Sequence, residues 1–308
     1  MKIQSLSIVV PGGCVNDCAC CVSKLHTDGE DVYKNQIEKN YQFEDLYQSD
    51  YVDAMSFARD NGCNTIMYTG DGEALLNMGF IRKVVEINKQ LEQPFRWSEL
   101  QTTGVYLLKK SAENGGEVNL RWLRNYVRVK TISLSLFNIF DSDLNAAYSK
   151  PKVKLAFVDV DKTCLHIKKY DFTLRLSLNM VDYYNDVTPE QIFERARQLG
   201  ANQVTFRVLY NIDHPSNKKE KKISDWIREH RVKDEKIQEI NEYIRTHGQI
   251  LEQLPFGAYR YSLHGMSVVL DDDCMSKGND KKEDVKYLVL RPNSKLYTKW
   301  DDEGSIIF

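Results

Sequence analysis

Gly12-Gly13-Cys14-Val15-Asn16-Asp17-Cys18-Ala19-Cys20-Cys21 is the stretch around which the chain is organised. Four of the seven cysteines fall within these eight positions, 14 to 21, directly after the apolar run Leu6 to Val10. Cys14, Cys18 and Cys21 show the spacing Cys-x3-Cys-x2-Cys. On a strand-to-loop transition that spacing suits a metal cluster better than a disulfide framework.

Three thiolates hold three irons of a cubane cluster and leave the fourth iron without a protein ligand. Such an open position is what separates a catalytic metal site from a closed structural one. Two other readings stand beside it. A zinc site would take Cys20 or His26 as its fourth ligand, and a redox dithiol would use Cys18 and Cys21. Cys63, Cys164 and Cys274 are isolated in sequence and read as small buried apolar residues.

Outward from the loop, the 308 residues are enough for a large core, with 42% hydrophobic and 28% charged residues. A net charge of −2 gives no global attraction to nucleic acid or membrane. The mixed-sign run from Lys218 to Lys236 reads as a solvated helix face, with Lys218, Lys219, Lys221 and Lys222 as the alternative nucleic-acid contact. No long apolar run predicts a membrane span, and the first residues lack a signal-peptide pattern, so a cytoplasmic protein is expected.

Strands are predicted over 3–10, 65–69, 95–103, 131–137, 172–181 and 203–210. Helical spacing covers 41–61, 80–91, 105–112, 119–127 and 158–169, and a last helix runs from Thr188-Pro189 to Leu199-Gly200. This rhythm argues for parallel βαβ units. Several strands alternate where fully covered parallel strands would be continuously apolar. Glu99, Gln101 and Thr103 share one face; so do Thr131, Ser133 and Ser135, then Thr173, Arg175, Ser177 and Asn179, then Thr205 and Arg207. With helices on the apolar face, these rows point into a barrel, where an unpaired charge is costly and a polar ligand is the simplest partner. An open sheet with one solvated face is the alternative. Beyond residue 210 the rhythm breaks into a helix and β-hairpins, including 287–290 paired with 295–300. His264 is a candidate acid or base at the barrel mouth. Asp271-Asp272-Asp273 reads as a solvated loop, with a divalent-metal site as the alternative.

A second motif, Thr69-Gly70-Asp71-Gly72-Glu73, closes the second predicted strand, where ligands of α/β sheets bind. Together with the cysteine loop it resembles the radical S-adenosylmethionine superfamily. The resemblance implies an α/β fold with a partial (β/α)6 barrel over residues 1–210; the pattern beyond it reads as a C-terminal α+β extension over 211–308, capping the barrel mouth or adding a sheet edge across it. It implies that Cys14, Cys18 and Cys21 ligate a [4Fe-4S] cluster and that Gly70, Asp71, Gly72 and Glu73 contact the amino group of S-adenosylmethionine. It also implies that Ser135, Arg175 and Asn179 contact its ribose and carboxylate.

The implied activity is reductive cleavage of S-adenosylmethionine, and the resulting radical abstracts hydrogen from a small polar or nucleoside-like substrate. An electron donor such as flavodoxin or ferredoxin is implied as partner. A glycyl-radical-enzyme activase or a peptide-modifying enzyme is the runner-up, and a zinc-binding interaction protein the alternative from another class. Two positions depart from the family pattern. Cys20 stands where an aromatic residue is usual, and Ala74 stands in the place of a proline.

Overall fold

The computed structural model describes residues 3, 5–24, 48–108, 118–209, 215, 217–254, 258–271, 285, 287–300 and 303–308. His26, Cys274, Asp272 and Asp273 lie outside them, as do residues 41–47 of the first predicted helix and 109–112 of the third.

The first six strands, β1 (Ser5–Val9), β2 (Thr65–Thr69), β3 (Trp97–Thr102), β4 (Thr131–Leu136), β5 (Thr173–Met180) and β6 (Gln203–Val208), pair in parallel, each beside its predecessor in sequence. Helices lie between them: α1 (Gln48–Asp60), α2 (Met78–Asn88), α3 (Val118–Trp122), α4 (Ser142–Ser149), α5 (Val160–Lys169) and α6 (Pro189–Gln198). The result is an α/β fold dominated by a parallel sheet, with the unbroken strand sequence that consecutive right-handed crossovers produce.

Because the strands pair in register, their pleats align and give the sheet two faces of opposite character. On one, Leu6, Ile8, Ile66, Tyr68, Leu100, Ile132, Leu134, Leu174, Leu176, Val204 and Phe206 are buried under the helices. On the other, register places Gln101, Ser133 and Arg175 side by side, and Asn179 beside Arg207. The alternation read from sequence is the true pattern. α6 begins as expected with a capping box: the Thr188 hydroxyl accepts from the Gln191 amide, and the Gln191 side chain accepts from the Thr188 amide.

Residues beyond 210 form α7 (Lys218–His230), α8 (Asp234–His247) and strands β7 (Gln249–Gln253), β8 (Tyr259–Leu263), β9 (Met266–Asp271), β10 (Tyr287–Leu290) and β11 (Leu296–Tyr297). Of the cap and the extra sheet edge that sequence suggests for the tail, these strands form the second, extending the core sheet at both edges. β9 pairs in parallel with β6, and β10 in parallel with β1. The expected hairpin is β10–β11. The physical reason is that each outer strand of a six-stranded parallel sheet presents a free row of backbone donors and acceptors, and the tail satisfies both rows.

Two local expectations change. Residues 105–107 form a turn after β3, and α4, which sequence did not signal, follows β4. α4 is only eight residues long; its start is fixed by Asp141, whose carboxylate accepts from the amides of Asp143 and Leu144. No helix among the described residues is long and apolar enough to cross a membrane.

Candidate metal centre at the strand mouth

All parallel strands end at one side of the sheet, and both motifs sit there, following β1 and β2. They are held together by glycine. A Cβ on Gly72 would stand 1.8 Å from the Gly13 carbonyl oxygen, and one on Gly70 would stand 2.6 Å from that of Val10. What they permit in this structure is the approach of the second loop to the first. The Glu73 amide then donates to the Gly13 carbonyl at 2.9 Å.

Glu73 itself is buried. Its carboxylate accepts from the Thr102 hydroxyl at 2.7 Å, the Thr103 amide at 2.7 Å, the Thr103 hydroxyl at 2.6 Å and the Leu75 amide at 3.1 Å. Four donors match the four acceptor positions a carboxylate offers. Glu73 thus ties the end of β3 to the cysteine loop. Asp71 lies 3.7 Å from the guanidinium of Arg291, a buried residue that follows β10 and packs over the rings of Tyr297 and Trp300. Sequence does not single out Arg291, which stands just before the turn Pro292-Asn293-Ser294.

The four cysteines of the loop divide. Cys20 is buried in the hydrophobic core, while Cys14, Cys18 and Cys21 are half-exposed. The amide of Asn16 donates to the Cys14 sulfur, the Cys18 thiol donates to the Ser149 carbonyl at the end of α4, and the Cys21 sulfur lies 2.8 Å from the Ser23 hydroxyl. Burial holds the Cys18 thiol well above its ordinary pKa, and the neighbouring sulfurs of Cys21, Cys20 and Cys14 add to that. Cys14 is raised by burial first, against the opposing Asn16 amide, with Glu73 and Cys21 adding. Metal binding needs thiolates, so a bound metal would displace these protons and offset the repulsion among the sulfurs. Among the described residues no three Cys, His, Asp or Glu side chains gather around a single ion. Three cysteines free of disulfide bonds on one fixed loop are the donor chemistry an iron–sulfur cluster takes.

The expected cofactor contacts split by depth. The Asn179 amide nitrogen donates to the Ser135 hydroxyl at 3.1 Å, on the polar face toward the mouth. Arg175 lies four residues earlier on β5, about 13 Å further from the mouth at ~3.3 Å per residue. It donates to Glu99 at 2.5 Å and to Gln203 at 2.7 Å. The polar ligand that sequence invokes for these charges is not required, because they satisfy one another.

His264 is corrected. It occupies the β8–β9 turn, and since β9 runs parallel to β6, that turn lies at the end of the sheet opposite the mouth. Its Nε2 lies 3.1 Å from the Tyr243 hydroxyl. The mouth instead holds a group that sequence did not single out. The Tyr148 hydroxyl donates to Asp182 at 2.6 Å, and the same carboxylate lies 3.2 Å from His230 Nδ1. Tyr148 precedes Ser149, the contact of Cys18. Cys63 and Cys164 are buried as expected, each thiol pushed up to about 12 chiefly by burial.

No protein-family model and no curated protein matches the chain in sequence. Solved structures do match in fold. The anSMEcpe structure with bound AdoMet and Kp18Cys peptide has a TM-score of 0.56 at 10% identity over 97% of this chain. Its form with bound AdoMet alone has 0.50 at 14% identity over 96%. Both are radical S-adenosylmethionine enzymes. This chain has their fold. It spans 74% of the anSMEcpe chain in these two matches and 54% in the complex with AdoMet and Cp18Cys peptide.

Proposed function

We propose that the chain is a radical S-adenosylmethionine enzyme, with a partial (β/α)6 barrel over residues 1–210 and its reaction at the strand mouth. The observation that carries this reading is the joining of the Cys14–Cys21 loop to the Gly70–Glu73 turn by glycine-to-backbone packing, with three half-exposed thiols on one side and the fourth turned into the core. Cys14, Cys18 and Cys21 would hold a [4Fe-4S] cluster, and Gly70 to Glu73, Ser135 and Asn179 line the adjoining strand ends where S-adenosylmethionine would lie. When bound, the cluster and S-adenosylmethionine supply one-electron reductive cleavage of the sulfonium and a carbon radical that takes hydrogen from the substrate.

The residues of the chain position and shield. Glu73 fixes the cluster loop to β3. Cys20 anchors that loop by burial. Asn179 and Ser135 offer a hydrogen-bonding pair at the mouth, and Tyr148, Asp182 and His230 form a polar chain beside it. A small polar or nucleoside-like substrate suits this polar face. A peptide is the second reading, favoured by the bound peptide of the anSMEcpe complex. A zinc-binding protein is the reading from another class, and metal content separates the two.

The test is anaerobic reconstitution with iron and sulfide. The wild-type protein should bind about four irons and form 5'-deoxyadenosine from S-adenosylmethionine and dithionite. Cys14→Ala, Cys18→Ala and Cys21→Ala should each lose both, whereas Cys20→Ala should keep its iron. One zinc and no iron in the wild-type protein would reject the reading.

A further inference from the structure

One segment beside the cysteine loop exposes what a folded chain ordinarily hides. In Lys150-Pro151-Lys152-Val153-Lys154-Leu155-Ala156-Phe157-Val158, the small Ala156 and Val158 are buried in a cluster with Val105, while Val153 is 49% exposed, Leu155 75% and Phe157 45%. Burying these three would have been favourable, so their exposure marks an interaction surface more strongly than scattered apolar residues would. The apolar side chains alternate with Lys150, Lys152 and Lys154, all exposed. Among the described residues, none of these three lysines is in an ion pair.

The segment is bonded directly to the ligand loop. The Asp17 amide donates to the carbonyls of Ser149 and Lys150, the Lys152 amide donates to the Val15 carbonyl at 2.9 Å, and Asn16 bridges to Pro151. Lys152 Nζ lies 3.3 Å from the Cys14 carbonyl. The acid of the loop, Asp17, is held by Lys24 at 2.7 Å, so the local field is positive. Any group docked on this patch sits within a few residues of Cys14 and Cys18.

We propose that residues 150–157 are the docking surface for an electron-carrying protein with an acidic rim around its flavin or iron–sulfur centre. This rests on the cluster reading above. The partner is oxidised by one electron, and the cluster held by Cys14, Cys18 and Cys21 is reduced by one; no bond forms between the proteins. Lysines steer the encounter, and Val153, Leu155 and Phe157 supply the small apolar contact that suits a short-lived redox complex.

The test uses purified flavodoxin and the reconstituted protein. Lys150→Glu with Lys154→Glu should weaken binding of oxidised flavodoxin, read by titration calorimetry, by about tenfold and flatten its salt dependence. Leu155→Ser with Phe157→Ser should weaken it while keeping the salt dependence. Both variants should slow cluster reduction by reduced flavodoxin, followed by stopped-flow absorbance, yet be reduced by dithionite at the wild-type rate. Wild-type binding and reduction rates in both variants would overturn the proposal and leave the patch to a peptide substrate. No binding of flavodoxin or of a ferredoxin to the wild-type protein would overturn it too. A wild-type protein that holds no iron overturns the cluster reading first, and this proposal with it.

Discussion

The strand mouth and the deeper rows of the polar face are built from similar residues and solved differently. In the deeper rows Glu99, Arg175 and Gln203 form a closed set across β3, β5 and β6, with each charge answered by another side chain. At the mouth buried Glu73 is answered by Thr102, Thr103 and Leu75, but the three partly buried sulfurs beside it have only weak hydrogen bonds. A polar strand face is therefore no sign of a ligand by itself. The sign is a donor set that its own chain leaves under-used, on a loop the chain holds firmly in place.

The largest effect after loss of a cysteine ligand should follow from Glu73. Replacing it by alanine strands two hydroxyls and two amides in the interior and releases the end of β3 from the cysteine loop. Leaving buried donors without an acceptor costs about 1–3 kcal/mol. Urea unfolding of Glu73→Ala should show that loss in the protein without iron, before any cofactor is added. An unchanged midpoint would show that Glu73 serves a ligand and not the scaffold, and would erase the contrast between the two regions.

A smaller effect is expected in the deeper rows. Glu99→Leu alone leaves Arg175 facing an apolar group and should destabilise by about 2 kcal/mol, since Arg175 remains partly solvated. The double variant Glu99→Leu with Arg175→Met removes both charges and should recover most of that loss, because paired buried charges often contribute little net stability. If the double variant is instead stable and inactive, Arg175 contacts the cofactor or substrate, as the resemblance implies, and its pairing with Glu99 is a resting arrangement.

Most of this was legible in sequence at the level of pattern. The six core strands, their order-giving helices and the polar rows follow from period-two alternation and apolar runs. The cysteine spacing and the Gly-Asp-Gly-Glu turn marked the mouth. What was not legible is long-range pairing. Nothing in Leu263-His264-Gly265-Met266 tells that β9 will lie parallel to β6, or in Arg291-Pro292 that an arginine will reach Asp71. α4 was missed because eight residues with modest amphipathicity carry little signal, yet its end supplies Ser149 to Cys18. The bonds from Thr102 and Thr103 to Glu73 were not legible either, because only folding brings those residues together.

The smallest expected effect makes the same point from the opposite end of the sheet. Sequence points to His264 because a turn after the core could reach the mouth. Its backbone has a φ of 51°, with Gly265 at 78°, the left-handed pair that tight two-residue hairpins demand. Its ring meets the Tyr243 hydroxyl of α8, which burial pushes to a raised pKa. His264→Asn suits the same backbone and removes the imidazole. Iron content and 5'-deoxyadenosine formation should stay within about twofold of wild type, with a stability change below ~1 kcal/mol. A large loss of turnover with iron retained would mean that the end of the sheet away from the cysteines takes part in the reaction, and the division between a reactive mouth and a structural base would fail.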